Sequence, residues 1–191
     1  SEMQTMYESR AGERGIFSRV AAQKIAARNG RRDADQDFGT NPCSEIILRS
    51  NQLCNLSEIV VRENDTLATL KKKCRIAAII GTLQATLTDF RYVRNIWKRN
   101  TEEEALLGVS MTGIMDHKIL GDDSSDVLHR WLEEVRDVAI DVNKEWAEKL
   151  GINQSTAITA VKPSGTVSQL VDSASGIHPR FSSHYLRRVR S

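Results

Sequence analysis

Apolar residues recur every three or four positions over two long stretches of the chain. Leu67, Leu70, Cys74, Ala77, Ile80, Leu83, Leu87, Phe90 and Val93 fall on one helical face, with Thr66 placed to cap its start. Val127, Trp131, Val135, Val138, Val142 and Trp146 repeat that spacing. The acidic and serine residues of 122–126 suit the start of this second helix, and Gly151 its end. Residues 1–28 read as helical, interrupted near Gly12 and Gly15, and Thr101-Glu102-Glu103-Glu104 resembles a capping box opening a short helix that ends near Gly108. Between these lie short β-branched runs. Residues 45–48, 59–61 and 156–161 read as strands, and 109–114 fits a strand or a turn. Asn29-Gly30 and then Gly39 mark a loop, and Pro163-Ser164-Gly165-Thr166 marks a turn before a helical run over 167–171. Long helices between short strands predict an α/β architecture. There is no internal repeat and no low-complexity tract.

Composition narrows the class. Of 191 residues, 40% are hydrophobic and 27% charged, which suits a soluble globular chain that buries a core and not a disordered one. A net charge of +2 is no signature of a polyanion partner. Arg187, Arg188 and Arg190 follow Tyr185 as a short basic run without interleaved aromatics, so an exposed edge is expected there and no direct nucleic-acid partner. No run of 18 apolar residues crosses a membrane, and no charged-then-apolar leader marks secretion. Three cysteines in a chain this long are not a secreted disulfide framework. They predict a reducing, cytoplasmic setting, where a cysteine pair is more often catalytic than structural. The amphipathic start and basic end do not read as domain edges, so the expectation is a segment of a larger polypeptide or one half of a split gene.

The candidate chemistry sits in Gly39-Thr40-Asn41-Pro42-Cys43-Ser44-Glu45, with Cys54 eleven positions beyond Cys43. Asn41 before Pro42 favours an extended or turn geometry, which holds Cys43 out on a loop. If the loop is extended there, alternation puts Cys43 and Glu45 on one side, and Cys54 approaches from a neighbouring strand. Other readings stay open. A zinc site lacks its Cys-x-x-Cys or paired histidines, a cysteine protease lacks a placeable histidine, and all three cysteines can be structural. Asp33, Asp35 and Asp37 have the wrong glycine and no closing glutamate for a calcium loop, so a solvated acidic loop is expected. No metal site is expected. Cys74, Trp131 and Trp146 lie on apolar stripes and read as core. A strand, a turn and a helix start around Pro163, Ser164, Gly165 and Thr166 make a phosphate cradle by their outward amides, or else an ordinary helix cap. His178 before Pro179 lines a site or occupies a plain turn.

Asn-Pro-Cys-Ser-Glu followed by Cys54, Gly15-Ile16-Phe17, and Lys162-Pro163-Ser164-Gly165-Thr166 together resemble the catalytic subunit of ribonucleotide reductase, from about Gly12 to Arg180. The spacing to Cys54 and the Ser-Gly-Ile-His-Pro-Arg-Phe-Ser of 175–182 are most similar to the adenosylcobalamin-dependent class. The resemblance implies part of a ten-stranded α/β barrel, spanning 1–191, with a finger loop near 39–54 and a phosphate loop near 162–168. It implies Cys43 as the thiyl radical that removes the ribose 3′-hydrogen. It further implies Glu45 as general base, Asn41 orienting the ribose hydroxyls, and Cys54 as one of two reducing thiols. Pro163, Ser164, Gly165 and Thr166 would hold substrate phosphates. Adenosylcobalamin is the implied cofactor, and an external dithiol, thioredoxin-like, the implied reductant. The implied partners are a ribonucleoside di- or triphosphate substrate and the remaining part of the reductase chain or a split partner. The family's second reducing cysteine has no counterpart before Cys43. Two other readings remain: a class drawing its radical from a metal-bearing subunit, whose tyrosine pair is absent around His184-Tyr185-Leu186, and a non-catalytic nucleotide-binding or assembly fragment.

Overall fold

The two periodic stretches become the pair of helices on which the main core is built. The computed structural model describes residues 1–10, 15–28 and 30–186. Along the chain come α1 (Glu2–Ser9), α2 (Arg19–Arg28), β1 (Phe38–Thr40), β2 (Ile47–Arg49), β3 (Asn55–Val60), α3 (Leu67–Gln84), α4 (Asn95–Glu104), β4 (Leu107–Thr112), a 3₁₀ turn (Ile114–Asp116), α5 (Asp126–Leu150) and α6 (Val167–Leu170). The arrangement is α/β. Gly12, Asn29, Arg187, Arg188 and Arg190, which figured in the sequence reading, lie outside the described residues.

β3 and β4 pair in parallel, in register from Asn55↔Leu107 to Val60↔Thr112. Parallel partners need a long crossover, and α3 and α4 supply it. A third extended segment flanks β4 on its other edge. The Leu107 N–H donates to the Ala157 carbonyl and the Ala160 N–H to the Val109 carbonyl, both at 3.0 Å. The strand expected over 156–161 is thus present only as an extended segment with one parallel bridge, Val109↔Thr159. With a neighbour on each edge β4 is buried almost throughout, so its sequence lacks the alternation of a half-exposed strand. That resolves the ambiguity over 109–114 into a strand followed by a 3₁₀ turn.

α3 and α5 pack against each other, and α3 also covers both strands. Ile59, Val61, Leu70, Cys74, Leu107, Val109, Val135, Ala139, Val142 and Ile158 form the shared core, with Trp131 and Trp146 packed against it. Thr66 caps α3 as expected, accepting from the Thr69 amide. The expected stripe is corrected beyond Ala77. α3 ends at Gln84, and its buried face turns to Ala77, Ala78, Gly81 and Thr82, leaving Ile80, Leu83 and Leu87 exposed. Small residues win there because the helix lies close to the strands: a Cβ on Gly81 would sit 3.3 Å from Leu107 Cδ2. The Thr82 hydroxyl accepts from Asn143 Nδ2 (3.0 Å), and Asn143 Oδ1 accepts from the Ser155 N–H (2.9 Å), so this buried polar contact is satisfied. α5 starts at a Ser125 cap and stops at Gly151 in the left-handed region, as its sequence indicated.

The Thr101–Glu104 capping box is also corrected. These residues end α4 rather than open a helix, Ala105 takes φ 43°, and the chain enters β4. Glu104 is committed elsewhere. Its carboxylate is gripped by both arms of Arg32 at 2.8 Å, and each of the two side chains is about 5% exposed. Arg32 also donates to the Ile47 carbonyl (2.7 Å), and Gln52 bridges Arg32, Glu104 and the Arg49 amide. This network pins the antiparallel hairpin β1–β2, paired Phe38↔Arg49 to Thr40↔Ile47, to the end of α4. Gly39, expected in a loop, is a strand residue of that hairpin. Phe38 closes a second small core with Ala22 and Ala26 of α2.

Glu104→Leu should leave the Arg32 guanidinium buried without its counter-charge and cost about 3–5 kcal/mol in urea unfolding. Asp137→Ala, which removes the partner of exposed Arg136, should leave the midpoint nearly unchanged. Equal shifts in the two variants would show that the buried pair does not hold the hairpin.

Candidate active site

The hairpin ends in a tight turn. The Ser44 N–H donates to the Asn41 carbonyl (2.9 Å), which makes Asn41-Pro42-Cys43-Ser44 a four-residue turn with proline at its favoured second position. Ser44 adopts φ 64°. The segment is therefore a turn and not extended, so alternation does not put Cys43 and Glu45 on one side. Cys43 is exposed at the tip as a free thiol. The Asn41 carboxamide is used at both ends: Oδ1 accepts from the Ile46 N–H (3.0 Å) and Nδ2 donates to Glu45 Oε1 (2.6 Å).

Glu45 points inward, its side chain 6% exposed. Lys162 Nζ lies 2.7 Å from the same Oε1. Oε2 is buried and has no hydrogen-bond partner among the described residues. Burial pushes the Glu45 carboxyl up, but Lys162, the local amide and Asn41 together outweigh it and hold the group below the usual carboxylate range. The Lys162 ammonium is raised in turn, mainly by its bond to Glu45, with smaller contributions from Cys43 and Cys54. Sequence reasoning missed this lysine as a partner of Glu45. It stands directly before Pro163, and nothing in the spacing of residues 45 and 162 announces the contact.

Cys54 lies immediately before β3, half-buried, and lines a cavity of about 200 Å³ with Glu45, Ile46, Arg32 and Thr159. Gly108 of β4, the register partner of Leu56, lies beside it: a Cβ there would stand 3.3 Å from Cys54 Sγ and clash with Leu56. Burial pushes the Cys54 thiol up to about 12, with Arg32 and Lys162 opposing and Glu45 adding to the shift. Cys74 is elsewhere, in the α3–α5 core, its Sγ donating to the Val135 carbonyl (3.3 Å).

Lys162 also carries the geometry onward to the second predicted element. Ser164 adopts φ 54°, is buried, and its Oγ has no partner among the described residues. Ser175 Oγ lies 3.0 Å from the carbonyls of both Pro163 and Ser164. Gly176 permits this closure, because a Cβ there would collide with the Lys162 and Pro163 carbonyl oxygens. Gly165 faces open space, and Thr166 makes no side-chain cap on the four-residue α6. The ordinary helix-cap geometry is thus absent at Thr166. Beside the loop lies a cavity of about 680 Å³, lined by Gly165, Ser168, Gln169, Arg180, Phe181 and Tyr185. His178 is an exposed turn residue whose N–H donates to the Ser175 carbonyl (2.7 Å). Asp33, Asp35 and Asp37 are exposed, and among the described residues no cluster of three His, Cys, Asp or Glu is placed to hold a metal. No described helix is long and apolar enough to cross a membrane.

No protein-family model matches the chain. It is 32% identical over 182 residues to the adenosylcobalamin-dependent ribonucleoside-triphosphate reductase of Euglena gracilis, covering 94% of this chain and 24% of that protein. It is 29% identical over 186 residues to the enzyme of the same name from Lactobacillus helveticus, covering 82% and 24%. Among solved structures it is similar to a B12-dependent (class II) ribonucleotide reductase, with a TM-score of 0.62 at 24% identity over 75% of this chain and 23% of that one. That likeness shows the fold. The chain spans about a quarter of the length of the curated relatives it matches.

The three thiols should separate by reactivity. With iodoacetamide near pH 8, Cys43 should be alkylated first. Cys54 should follow at least about 100-fold more slowly, since a thiol near 12 is almost wholly protonated there, and Cys74 should react only on unfolding. Peptide mass spectrometry reads the order, and early labelling of Cys54 would contradict its burial.

Proposed function

We propose that this chain is the segment of an adenosylcobalamin-dependent ribonucleotide reductase that carries the finger loop, near 39–54, and the substrate-phosphate loop, near 162–168. In this reading β3, β4 and the 157–160 segment belong to a ten-stranded α/β barrel completed by the rest of the polypeptide or a split partner. The supporting observation is a convergence. Asn41, Glu45 and Cys54 gather around Lys162, which opens the loop of Pro163, Ser164, Gly165 and Thr166, while Cys43 stands exposed at the turn. The names of the relatives favour a ribonucleoside triphosphate as substrate and do not favour the metal-subunit class.

The residues present fit the cofactor in one respect that matters. A radical generated outside the loop needs an accessible thiol, and Cys43 is the exposed one. Bound adenosylcobalamin would supply the one-electron chemistry. The Cys43 thiyl then takes the ribose 3′-hydrogen, and Glu45 accepts the 3′-hydroxyl proton through its unpartnered Oε2. Asn41 orients the hydroxyls. The 2′-hydroxyl takes one thiol proton and leaves as water, C2′ gains the hydrogen of the second thiol, the two sulfurs close into a disulfide, and Cys43 returns the 3′-hydrogen as Glu45 returns its proton. Cys54 is one of those thiols, and its burial keeps it in the S–H form such a donor needs. Cys74 is walled into the core, so the second thiol belongs to the remainder of the reductase. A thioredoxin-like dithiol restores the pair. The substrate phosphates lie against the open face of Gly165 and the outward amides of the loop.

In the complete reductase, Cys43→Ser should abolish multiple-turnover reduction of nucleotide with substrate affinity retained, because an O–H bond is far harder to break homolytically than S–H. Glu45→Gln should suppress turnover likewise. Sustained deoxynucleotide from the Cys43 variant would end the radical assignment. Residues 1–191 alone, given adenosylcobalamin, dithiol and nucleotide, should form no sustained product.

At the phosphate loop, Gly165→Val should weaken triphosphate binding more than Ser164→Ala. The added side chain meets no protein atom and so falls where the ligand approaches, whereas the alanine removes one hydrogen bond worth about 0.5–3 kcal/mol. Equal calorimetric affinities for both variants and the parent would remove the loop from the binding site.

A further inference from the structure

We propose that Lys162 is a positioning residue that anchors the catalytic carboxylate through one oxygen, leaves the other free to take the proton, and ties the carboxylate mechanically to the base of the phosphate loop. This rests on the reading of Glu45 as the general base.

The two oxygens of Glu45 have unequal surroundings. Oε1 accepts from Asn41 Nδ2 at 2.6 Å and from Lys162 Nζ at 2.7 Å. Oε2 is buried and accepts nothing among the described residues. An oxygen already holding an ammonium and an amide donor is a poor proton acceptor, so basicity is left on its twin. Two fixed donors on Oε1 also set the plane of the carboxyl group, and with it the direction of the free lone pairs. Asn41 alone cannot do this, because it belongs to the same hairpin connection and moves with Glu45. Lys162 comes from across the fold.

Its own backbone is held. Residues 157–160 run along β4, and the Lys162 and Pro163 carbonyls are packed against Gly176. A ligand that draws the phosphate loop inward therefore acts on the ammonium one residue away. Other cations share the surroundings of Glu45 but are engaged differently. Arg32 is locked onto Glu104, Arg136 pairs with Asp137, and Arg31 and Arg136 line the same cavity as Glu45 without an ion pair to it among the described residues. The thiols Cys43 and Cys54 complete the titratable groups around the pair. Lys162 is thus the cation in contact with the carboxylate. Without it, burial is the largest remaining influence, and burial favours the protonated acid.

The test uses the complete reductase and three variants, Lys162→Met, Lys162→Gln and Lys162→Arg. A carbon-13 NMR titration of Glu45 in nucleotide-free protein reads the pairing without any turnover. Lys162→Met should raise the Glu45 midpoint by about 1–3 units. Lys162→Gln, which keeps a donor and folds under milder perturbation, should raise it by less, and Lys162→Arg should restore it to within about half a unit. A base that titrates higher is lost sooner on acidification, so the acid limb of kcat should move to higher pH in Lys162→Met. There, kcat should fall on acidification over a pH range in which the parent's kcat is still flat, while KM for a ribonucleoside triphosphate changes less than about threefold. An unchanged midpoint in both Lys162→Met and Lys162→Gln would overturn the proposal. So would a raised KM with unchanged kcat, which would make Lys162 a phosphate ligand instead. Midpoint shifts in the variants of a parent that itself reduces no nucleotide would support the Lys162 anchor and reject the reductase reading, so the two fail separately.

Discussion

The buried fork of Arg32 on Glu104 is the constraint on which the site depends. Strands of three residues cannot hold a hairpin by themselves. Here the hairpin that carries Asn41, Cys43 and Glu45 is fastened by a guanidinium that reaches the Ile47 carbonyl, Gln52 and, 72 residues along the chain, Glu104. Taking two charges out of water is costly, and a pair of this kind is tolerated only when its remaining donors and acceptors are satisfied. Gln52 and Asn100 complete that satisfaction. Glu104 is the last residue of α4, so the same contact also fixes the point from which the chain enters β4.

Around this anchor the chemistry is arranged by opposing influences rather than by proximity alone. The Glu45 side chain is largely buried, which by itself favours its neutral form, and the ammonium and amide that share one of its oxygens, with the local backbone amide, shift it back toward the anion. Cys54 is half-buried, and Arg32 and Lys162 do not offset the water it has lost, so it stays a thiol. Cys43, only two residues from Glu45, is left in the open by a proline turn. One short stretch of chain therefore presents an accessible thiol, a carboxylate held toward its anion and a shielded thiol, and each state follows from how much water the group has lost and which partner replaces it.

Much of this was legible before any coordinates. The helix over Asp126–Leu150 declared its cap, its stripe and its glycine stop, and the cap of Leu67–Gln84 was equally plain. Motif order pointed to the residues gathered at the site and to relatives that proved to be adenosylcobalamin-dependent reductases. Errors fell where long-range packing overrode a local signal. The Thr101–Glu104 pattern looked like the beginning of a helix because its acid is spent on Arg32, not on a local amide. The stripe on α3 drifted because close approach to Leu107 demanded small residues where the period asked for large ones.

Sequence alone determined the α/β character and the main helices and singled out Asn41, Cys43, Glu45, Cys54 and the loop after Lys162 as candidates, because these are written in periodicity and in motifs of adjacent residues. Only the tertiary structure decided that Lys162 meets Glu45, that Arg32 and Glu104 brace the hairpin, that Cys54 sits against a glycine, and that Cys74 is sealed away from all of them. Those are contacts between residues 50 to 120 positions apart. No local pattern encodes them, since the energy of such a contact exists only once the chain has folded and water has been excluded from both partners.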